Sequence, residues 1–415
     1  MKKVRFFYAR NCLLMILLGE ILLMDQAAEK EKDKINYQVA IQKVSPAPVQ
    51  KITTQSPEIR VLLMNSDYSS YEHERVTGIC NGKEFDYSAD SPQLDEEEIL
   101  LKGDEEGITV TSIDRQCGHP VYYGTLEIRK TKDSLNLVNE ICLEDYLKAV
   151  VPSEMPSSYE EQALMAQAVC ARTYAWKHIQ DPDKEMKAYY ADVDDSVNYQ
   201  VYGNIFPQEV TDRAVLCTKG RILTQNGEPV QAYYFSTSAG FTSTDEIWGA
   251  DEASSYLKSI RCDFDQDSPW RKWQVTIPWE NIQKRAQELY ENTGKLLSVD
   301  VARKNESGAV VSLQAVTEGK TFYINGEYSV RQFLSPEGCT IYEKDNAKEQ
   351  GGKLLPSSYF TLNSSPGSCL EICGGGYGHG VGMSQNGANE MAKQGYTYEE
   401  ILQYFFRNVQ VEKIY

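Results

Sequence analysis

The chain has 415 residues, of which 41% are hydrophobic and 11% aromatic, and its formal net charge at pH 7 is −18. This length and composition allow one large hydrophobic core or two ordinary ones. The negative charge argues against nucleic acid, which attracts basic surfaces, and against any strongly anionic partner.

Residues 1–28 have the pattern of an export segment or membrane anchor. Four basic residues within residues 1–10 precede an apolar run over 12–24, which is shorter than the ~20 residues of a spanning helix. This pattern is typical of a signal sequence, but Gln26 makes a poor cleavage site, so a retained signal-anchor is the alternative. Residues 29–57, first charged and then rich in Pro, Thr and Gln, are expected to form an extended tether.

Short strands and turns dominate the chain outside a central helical segment. A strand is predicted at Ile59–Met64, and residues 213–350 return to strand patterning around one helix near Glu280–Tyr290. A capping box of Thr397 and Glu400 predicts a closing helix. The regular strand–helix alternation of a parallel sheet is missing, so we expect an α+β fold.

The helical centre spans residues 143–179 and contains two predicted helices. The first covers Glu144–Val151 and is stopped by Pro152. The second begins at Ser158, where a Ser-x-x-Glu capping box is predicted, and runs to about His178. A face of this helix carries mostly small apolar residues that allow close packing: Leu164, Ala168, Ala171 and Ala175.

Glu154 lies between these helices and is flanked by Pro152 and Pro156. Each proline fixes its own φ and restricts the preceding residue, and Met155 adds an apolar neighbour. Desolvation in such a place can raise the pKa of a carboxyl, which a general acid requires near neutral pH. The alternative is a loop glutamate that caps the following helix, and Glu154 taken alone favours this alternative.

A glycine-rich segment at Cys373–Gly387 contains seven glycines in fifteen residues, together with His379. Clustered glycine costs backbone entropy, so it indicates positive φ or a close backbone approach. The segment lacks the glycine spacing of nucleotide-binding loops. A short helix is predicted directly after it, over Ala388–Gln394, with Gly395 as its stop. We interpret the segment as a rigid binding loop that displays His379 in a cleft; a tight connection between core elements is the alternative.

The ten cysteines include no Cys-x-x-Cys pair. The closest groupings are Cys117 with His119 and Cys369 with Cys373, and neither makes a four-ligand zinc site by itself. Several, such as Cys170, are expected to be small core residues. Unpaired thiols in an exported protein suggest reducing surroundings.

Four segments in order make the chain resemble the SpoIID/LytB family over about residues 58–415, and Gly395–Leu402 matches the family's closing pattern. The four segments are Tyr146–Pro156 (YLKAVVPSEMP), Gln162–Tyr174 (QALMAQAVCARTY), Tyr234–Gly240 (YFSTSAG) and Gly378–Ala388 (GHGVGMSQNGA). The resemblance implies a SpoIID-like α+β fold that is β-rich around the helical centre. It also implies two lobes that flank a substrate cleft, whereas the β-rich insert expected at about residues 260–365 rests on strand-and-turn patterning.

Sporulation members of this family are lytic transglycosylases, which cut the glycan strands of peptidoglycan during engulfment and prefer strands that a partner amidase has stripped of peptides. The resemblance implies that Glu154 is the catalytic acid for the bond between N-acetylmuramic acid and N-acetylglucosamine. The same residue would then act as the base that closes a 1,6-anhydro ring, whereas a hydrolase typically needs two carboxyl groups. No cofactor is implied. We expect an exported, membrane-anchored protein whose catalytic region faces the cell wall and works with a membrane engulfment complex.

The resemblance also suggests which side chains contact the glycan. These are His379, Ser384, Gln385, Ser236, Ser238 and Tyr174. Arg172 is a further candidate, for a lactyl carboxylate, although its place in an alanine-rich helix favours an ion pair inside the protein. Some relatives hold zinc with a His-Cys pair just before a Gln-Val-Tyr motif. Because Asn198 and Tyr199 stand there in this chain, we expect no zinc.

A non-catalytic role is the main alternative. LytB-type relatives are described as enhancers of an N-acetylmuramoyl amidase, which bind glycan or amidase without cutting. The presence of Glu154 between two prolines favours the enzyme. A structural wall protein is disfavoured, because the sequence has no internal repeat and little low-complexity content.

Overall fold

The computed structural model describes residues 56–94, 98–250, 252–290 and 294–415. The predicted export segment and almost all of the predicted tether lie outside these residues. None of the helices in the described ranges is both long and apolar enough to cross a membrane.

Eight strands precede the helical centre and form two antiparallel sheets. They are β1 (Glu58–Leu63), β2 (Arg75–Cys80), β3 (Lys83–Ser88), β4 (Ile99–Lys102), β5 (Ile108–Val110), β6 (Val121–Tyr122), β7 (Thr125–Lys130) and β8 (Leu135–Cys142). The first sheet has the order β4-β7-β8-β1, and the second has the order β3-β2-β5-β6. Strand β1 confirms the strand predicted at Ile59–Met64.

Four helices and one short strand make up the central region. They are α1 (Leu143–Glu154), α2 (Glu161–Gln180), α3 (Lys184–Tyr189), β9 (Val193–Asp194) and α4 (Glu209–Cys217). Strand β9 adds to the first sheet by pairing parallel with β1. Helix α2 packs against α1 and α4, and its predicted small-residue face, with Cys170, is fully buried.

The predicted end of the first helix is wrong. Pro152 does not stop α1 but lies in its last turn, and the helix continues to Glu154. A proline in the last turn removes only one backbone hydrogen bond, and the turn is still closed by the Met155 N–H, which donates to the Val151 carbonyl at 2.9 Å. The helix ends because Met155 precedes Pro156 and is therefore held in an extended conformation.

The predicted start of the second helix is also wrong, because Ser158 does not cap it. Helix α2 begins at Glu161, and no side chain caps it at Glu160. The Glu160 N–H instead donates to the side-chain oxygen of Asn389, at 2.9 Å. A contact from a residue far along the chain thus replaces the local capping box.

The C-terminal half alternates short strands with four helices. They are β10 (Arg221–Gln225), β11 (Glu228–Pro229), β12 (Tyr234–Phe235), β13 (Trp273–Pro278), α5 (Trp279–Leu289), β14 (Leu296–Lys304), β15 (Val310–Thr317), β16 (Thr321–Asn325), α6 (Glu327–Phe333), β17 (Thr340–Glu343), β18 (Lys348–Gln350), β19 (Phe360–Ser365), β20 (Cys369–Gly374), β21 (Met383–Ser384), α7 (Gln385–Lys393), α8 (Tyr398–Phe405) and β22 (Gln410–Lys413). Helices α5, α7 and α8 were predicted, and α8 has the expected capping box of Thr397 and Glu400. The short helices α3, α4 and α6 were missed.

Two sheets lie within the predicted β-rich insert or directly beside it. One has the order β18-β17-β13-β20-β19, and the other is the meander β14-β15-β16. Smaller sheets pair β10 with β11 and β22, and β12 with β21.

Helices and several separate sheets together confirm the predicted α+β class, and residues 57–415 form one compact unit. A large hydrophobic cluster joins β1 and β8 to helices α1, α2, α7 and α8. This cluster fixes the C-terminal end of α1 beside the start of α7, where the candidate site lies. The two lobes and their cleft remain a prediction.

Candidate active site

Glu154 is the last residue of α1, and its carboxyl is enclosed by protein atoms although the residue as a whole is half-buried. Burial raises the pKa of this carboxyl to about 7, against the opposing effect of two hydrogen bonds. These come from the Val201 N–H, which lies 2.7 Å from Oε1, and from the Tyr234 side chain. The negative end of the helix dipole also disfavours a carboxylate at this position. Glu154 is thus poised to hold a proton near neutral pH.

Ser153 fixes the segment that donates to Glu154. Its hydroxyl donates to the Ala149 carbonyl at 2.6 Å, within α1. The same oxygen accepts the N–H groups of Asn204 and Ile205, at 3.2 and 3.1 Å. The chain after β9 is therefore fastened to the end of the helix, which points the nearby Val201 N–H at the Glu154 carboxyl.

A series of hydrogen-bonded side chains, separate from the Ser153 contacts, leads to the Glu154 carboxyl. The Tyr146 hydroxyl donates to Gln200 Oε1 at 3.1 Å, and Gln200 Nε2 donates to the Tyr234 hydroxyl at 3.1 Å. Because that hydroxyl already accepts a hydrogen bond, its own proton is available for the Glu154 carboxyl. Sequence reasoning included Tyr234 and Gln200 in motifs but did not identify either as a site residue.

The glycine-rich segment is held against the third motif by parallel strand pairing. Strand β12 pairs with β21, with Tyr234 opposite Met383 and Phe235 opposite Ser384. Directly after β21, Gln385 Nε2 donates to the backbone carbonyl of Glu154 at 2.9 Å. The first, third and fourth motifs therefore meet at Glu154, and Gln385 contacts the backbone of the candidate acid.

Two positions show why the glycine-rich segment requires glycine. At Gly382, φ is +82°, and an added Cβ would lie 2.1 Å from the Tyr233 carbonyl oxygen. At Gly378, φ is +104°, and an added Cβ would lie 2.9 Å from the Phe235 side chain. The close approach that the sequence predicted is thus an approach to strand β12 of the protein itself.

His379 does not present a free nitrogen to a sugar, contrary to its expected role. Its Nδ1 accepts the Val381 N–H at 3.1 Å, which places the ring proton on Nε2, and the ring also bonds the Tyr234 backbone. Burial lowers the pKa of His379 to about 4, so the ring is neutral. His379 therefore supports the backbone of Tyr234, whose side chain contacts Glu154.

Ser238 and Ser384 point at a buried carboxylate, not outward. Their hydroxyls donate to the two oxygens of Asp265, at 2.8 and 2.7 Å, and Arg271 lies 3.3 Å from the same carboxylate. This arrangement commits both hydroxyls within the protein and corrects their expected role in sugar binding. Ser236 differs, since it is partly exposed and its hydroxyl lies 3.2 Å from the Thr237 hydroxyl. No motif in the sequence pointed to Asp265.

Tyr174 and Arg172 lie on the same helix but have different surroundings. Burial raises the pKa of Tyr174, and Tyr233, Asp194, Asp183 and Glu154 add smaller contributions in the same direction. Arg172 is fully buried and donates to both carboxylate oxygens of Glu144, each at 2.7 Å. This geometry favours the ion pair inside the protein over the lactyl-carboxylate role.

In the part of the chain that the structure describes, no group of three or more His, Cys, Asp and Glu side chains is placed to hold a metal ion. Tyr199, one of the two residues on which the expectation of no zinc rests, packs its ring against that of His178, with the centroids 5.5 Å apart. All nine described cysteines are free thiols.

Comparisons with known proteins place the chain in a class of sporulation proteins. A family model described as "Stage II sporulation protein" matches residues 131–225, which include Glu154 and Val201. The stage II sporulation protein D of Bacillus subtilis is 32% identical over 292 residues, which is 66% of this chain and 76% of that protein. Its counterpart from Bacillus amyloliquefaciens is 30% identical over 294 residues, or 68% and 77% of the two chains. The chain belongs to the SpoIID family.

Two further comparisons concern other parts of the molecule and the alternative function. A family model described as "Domain of unknown function" matches residues 246–382, which cover the β-rich insert. An amidase enhancer of Bacillus subtilis is 28% identical over 292 residues, which is 63% of this chain and 39% of that protein. The family relation supports a role in sporulation.

Proposed function

We propose that this protein is a lytic transglycosylase that cleaves the bond between N-acetylmuramic acid and N-acetylglucosamine in peptidoglycan glycan strands. The observation that carries the proposal is the enclosed Glu154 carboxyl, with a pKa of about 7 and hydrogen bonds from Val201 and Tyr234. A carboxyl with this pKa can give up a proton and take one back at neutral pH, as a general acid and base must.

Glu154 would act twice in one turnover. Its proton goes to the glycosidic oxygen, the bond from that oxygen to C1 of N-acetylmuramic acid breaks, and N-acetylglucosamine leaves as an alcohol. The Glu154 carboxylate then takes the proton of the C6 hydroxyl, whose oxygen bonds to C1 and closes the 1,6-anhydro ring. The Val201 N–H and the Tyr234 hydroxyl stabilise the carboxylate between these two steps.

The direct contacts of the Glu154 carboxyl are consistent with this one-carboxyl chemistry. Among the described residues, the contacts to its carboxyl come from a backbone amide and a tyrosine, and no second carboxylate is one of them. A hydrolase of the usual kind places a second carboxylate within about 5–10 Å as nucleophile or base. Asp265, which lies near the motifs, is already held by two serines and Arg271.

The biological setting of the proposal follows from the family. The enzyme would be exported, anchored by its N-terminal segment, and would act on the wall during engulfment. It would follow a partner amidase, since peptide-stripped strands are its proposed substrate. Its catalytic region would then lie on the cell-wall side of the membrane.

A second candidate function is enhancement of an amidase without cutting. The similarity to the Bacillus subtilis amidase enhancer favours it. That role needs binding surfaces but no group that donates a proton, so it gives no reason for the raised pKa of Glu154.

The test compares wild type, Glu154→Gln and Glu160→Gln on peptide-stripped glycan strands, with new chain ends measured by mass spectrometry. Glu160 is an exposed glutamate six residues away and serves as the matched control. We expect anhydro ends from wild type and from the control, and none from Glu154→Gln. If all three release no ends yet stimulate the amidase equally, the enhancer function replaces the proposal.

A further inference from the structure

A row of aromatic rings extends from the neighbourhood of Glu154 to the protein surface. Its members are Tyr199, His178, Tyr174, Tyr233, Trp248 and His379. The centroids of Tyr174 and Tyr233 lie 6.2 Å apart, and those of Tyr233 and Trp248 lie 4.9 Å apart. Trp248 is the most exposed ring of the row, with 41% of its surface accessible.

Trp248 is held firmly despite this exposure. It ends a short 3-10 turn, Asp245–Trp248, in which Ile247 is buried. The Asp245 carboxylate accepts the Ser254 N–H at 3.0 Å and ties the turn to the following loop. Beneath the indole, Tyr233 makes an edge contact and His379 lies 5.2 Å away. The result is a fixed apolar face in contact with water.

This face is connected to the candidate acid by two routes. Tyr174, which is close enough to Glu154 to sense its charge, is two ring contacts away from Trp248. His379, which contacts Trp248, bonds the backbone of Tyr234, and the Tyr234 side chain bonds Glu154. Trp248 is therefore linked to the Glu154 site through ring contacts and hydrogen bonds of the protein itself.

We propose that Trp248, seated on Tyr233 and His379, is a subsite that stacks on a neutral pyranose of the glycan strand, N-acetylglucosamine, beyond the cleaved bond. The proposal rests on the proposed function, because it takes the substrate of that function as its ligand. The C–H face of a pyranose is apolar and flat enough to cover an indole, while its hydroxyls stay in water at the rim.

The charges around Trp248 select a neutral sugar. Asp245 is close enough to add to the pKa of Tyr233, beside the larger effect of burial, and Glu246 is exposed next to Trp248. His379 is neutral, and Glu327 and Arg331, which act on its pKa in opposite directions, form an ion pair with each other at 2.7 Å. A lactyl carboxylate would be repelled here, so N-acetylglucosamine fits this position better than N-acetylmuramic acid.

The test measures binding without turnover, in the Glu154→Gln background. The probe is a peptide-free tetrasaccharide of alternating N-acetylglucosamine and N-acetylmuramic acid, titrated by calorimetry. We expect Trp248→Ala to weaken binding about tenfold and Trp248→Phe, which keeps a stacking ring, about twofold. Tyr323→Ala is the control, because Tyr323 is an even more exposed aromatic on β16, outside the row, and it should leave Kd unchanged.

The binding measurements test the Trp248 subsite, whereas the proposed cleavage of glycan is tested by the chain-end experiment. Loss of binding in Trp248→Ala with an unchanged Tm supports the subsite, even if the wild-type protein proves not to cut glycan. Equal binding by Trp248→Ala and its parent overturns the subsite, even if the wild-type protein does cut. Equal weakening by Trp248→Phe and Trp248→Ala also contradicts stacking. Failure of the parent to bind the tetrasaccharide at all overturns it too.

Discussion

The side-chain amide of Gln385 donates to the backbone carbonyl of Glu154 at 2.9 Å, across 231 positions of sequence. The carbonyls in the last turn of a helix lack partners within the helix, so Gln385 satisfies one that would otherwise be open. This bond attaches the first turn of α7 to the last turn of α1. The glycine-rich segment therefore helps to set the position of the candidate acid instead of only facing it.

Removal of the Tyr234 hydroxyl should change the pH dependence of cleavage. In Tyr234→Phe the Glu154 carboxylate loses a donor, so its pKa rises further, and the fall in rate at high pH moves up by as much as about one pH unit. We also expect kcat to drop by about tenfold or more, because the carboxylate formed during the reaction is less stabilised. Tyr233→Phe is the control. An unshifted pH–rate profile for Tyr234→Phe would contradict the hydrogen bond from the Tyr234 hydroxyl to the Glu154 carboxyl.

Glu154 should lower the stability of the fold at neutral pH. Its pKa is about 7 when folded and near 4.5 when unfolded, so the folded state keeps a proton that the unfolded state releases between these values. Stability is therefore highest below about pH 4.5 and falls as pH rises to about 7. We expect Glu154→Gln to be more stable than wild type above pH 7, by up to about 3 kcal/mol, and equally stable near pH 4. Urea denaturation across this range is the measurement, and a difference that does not vary with pH would refute the raised pKa.

The buried His379 should make the stability of the fold depend on pH in the direction opposite to that of Glu154. Its pKa is about 4 when folded and near 6.5 when unfolded, so its contribution is complete above pH 6.5 and is lost as pH falls to about 4. Relative to wild type, His379→Gln should gain as much as about 3 kcal/mol on going from pH 7 to pH 4. The same substitution at the exposed His119 is the control. Parallel curves for wild type and His379→Gln would show that the ring is not held neutral.

Arg172 should matter for stability and not for glycan recognition. Arg172→Lys loses the two-pronged bond to Glu144 in a fully buried site, so we expect a loss of about 3 kcal/mol. Arg213→Lys, at an exposed pair with Glu161, should cost less than about 1 kcal/mol. Chemical denaturation gives both values. An Arg172→Lys protein with normal stability and weakened glycan binding would restore the lactyl-carboxylate role.

The sequence predicted those features of the helices that depend on residues close together in the chain. The small-residue face of α2, the capping box of α8 and the helix after the glycine-rich segment follow from spacing and from capping residues. Pro152 misled the prediction, because a proline in the final turn shortens the hydrogen-bond ladder without ending the helix. The start of α2 could not be predicted from nearby residues, since Asn389 fixes it.

The site itself depends on pairs that are far apart in sequence. Glu154 could be identified as the candidate acid through the family motifs and not from its neighbours alone, and its partner Val201 lies 47 residues away. Asp265 stands in no motif, yet it holds a serine from each of two motifs. His379 was expected to face a ligand because it stands out among glycines, whereas the fold turns its ring onto the backbone of Tyr234.

Cleavage of peptide-stripped glycan in heavy-oxygen water, with the products reduced at once and weighed, tests the central claim most directly. We expect wild type to give 1,6-anhydro ends without heavy oxygen, because the attacking oxygen is the sugar's own C6 hydroxyl. We expect Glu154→Gln to give no new ends. Heavy oxygen in the new ends of the wild-type products would mean hydrolysis by water and would contradict the one-carboxyl mechanism.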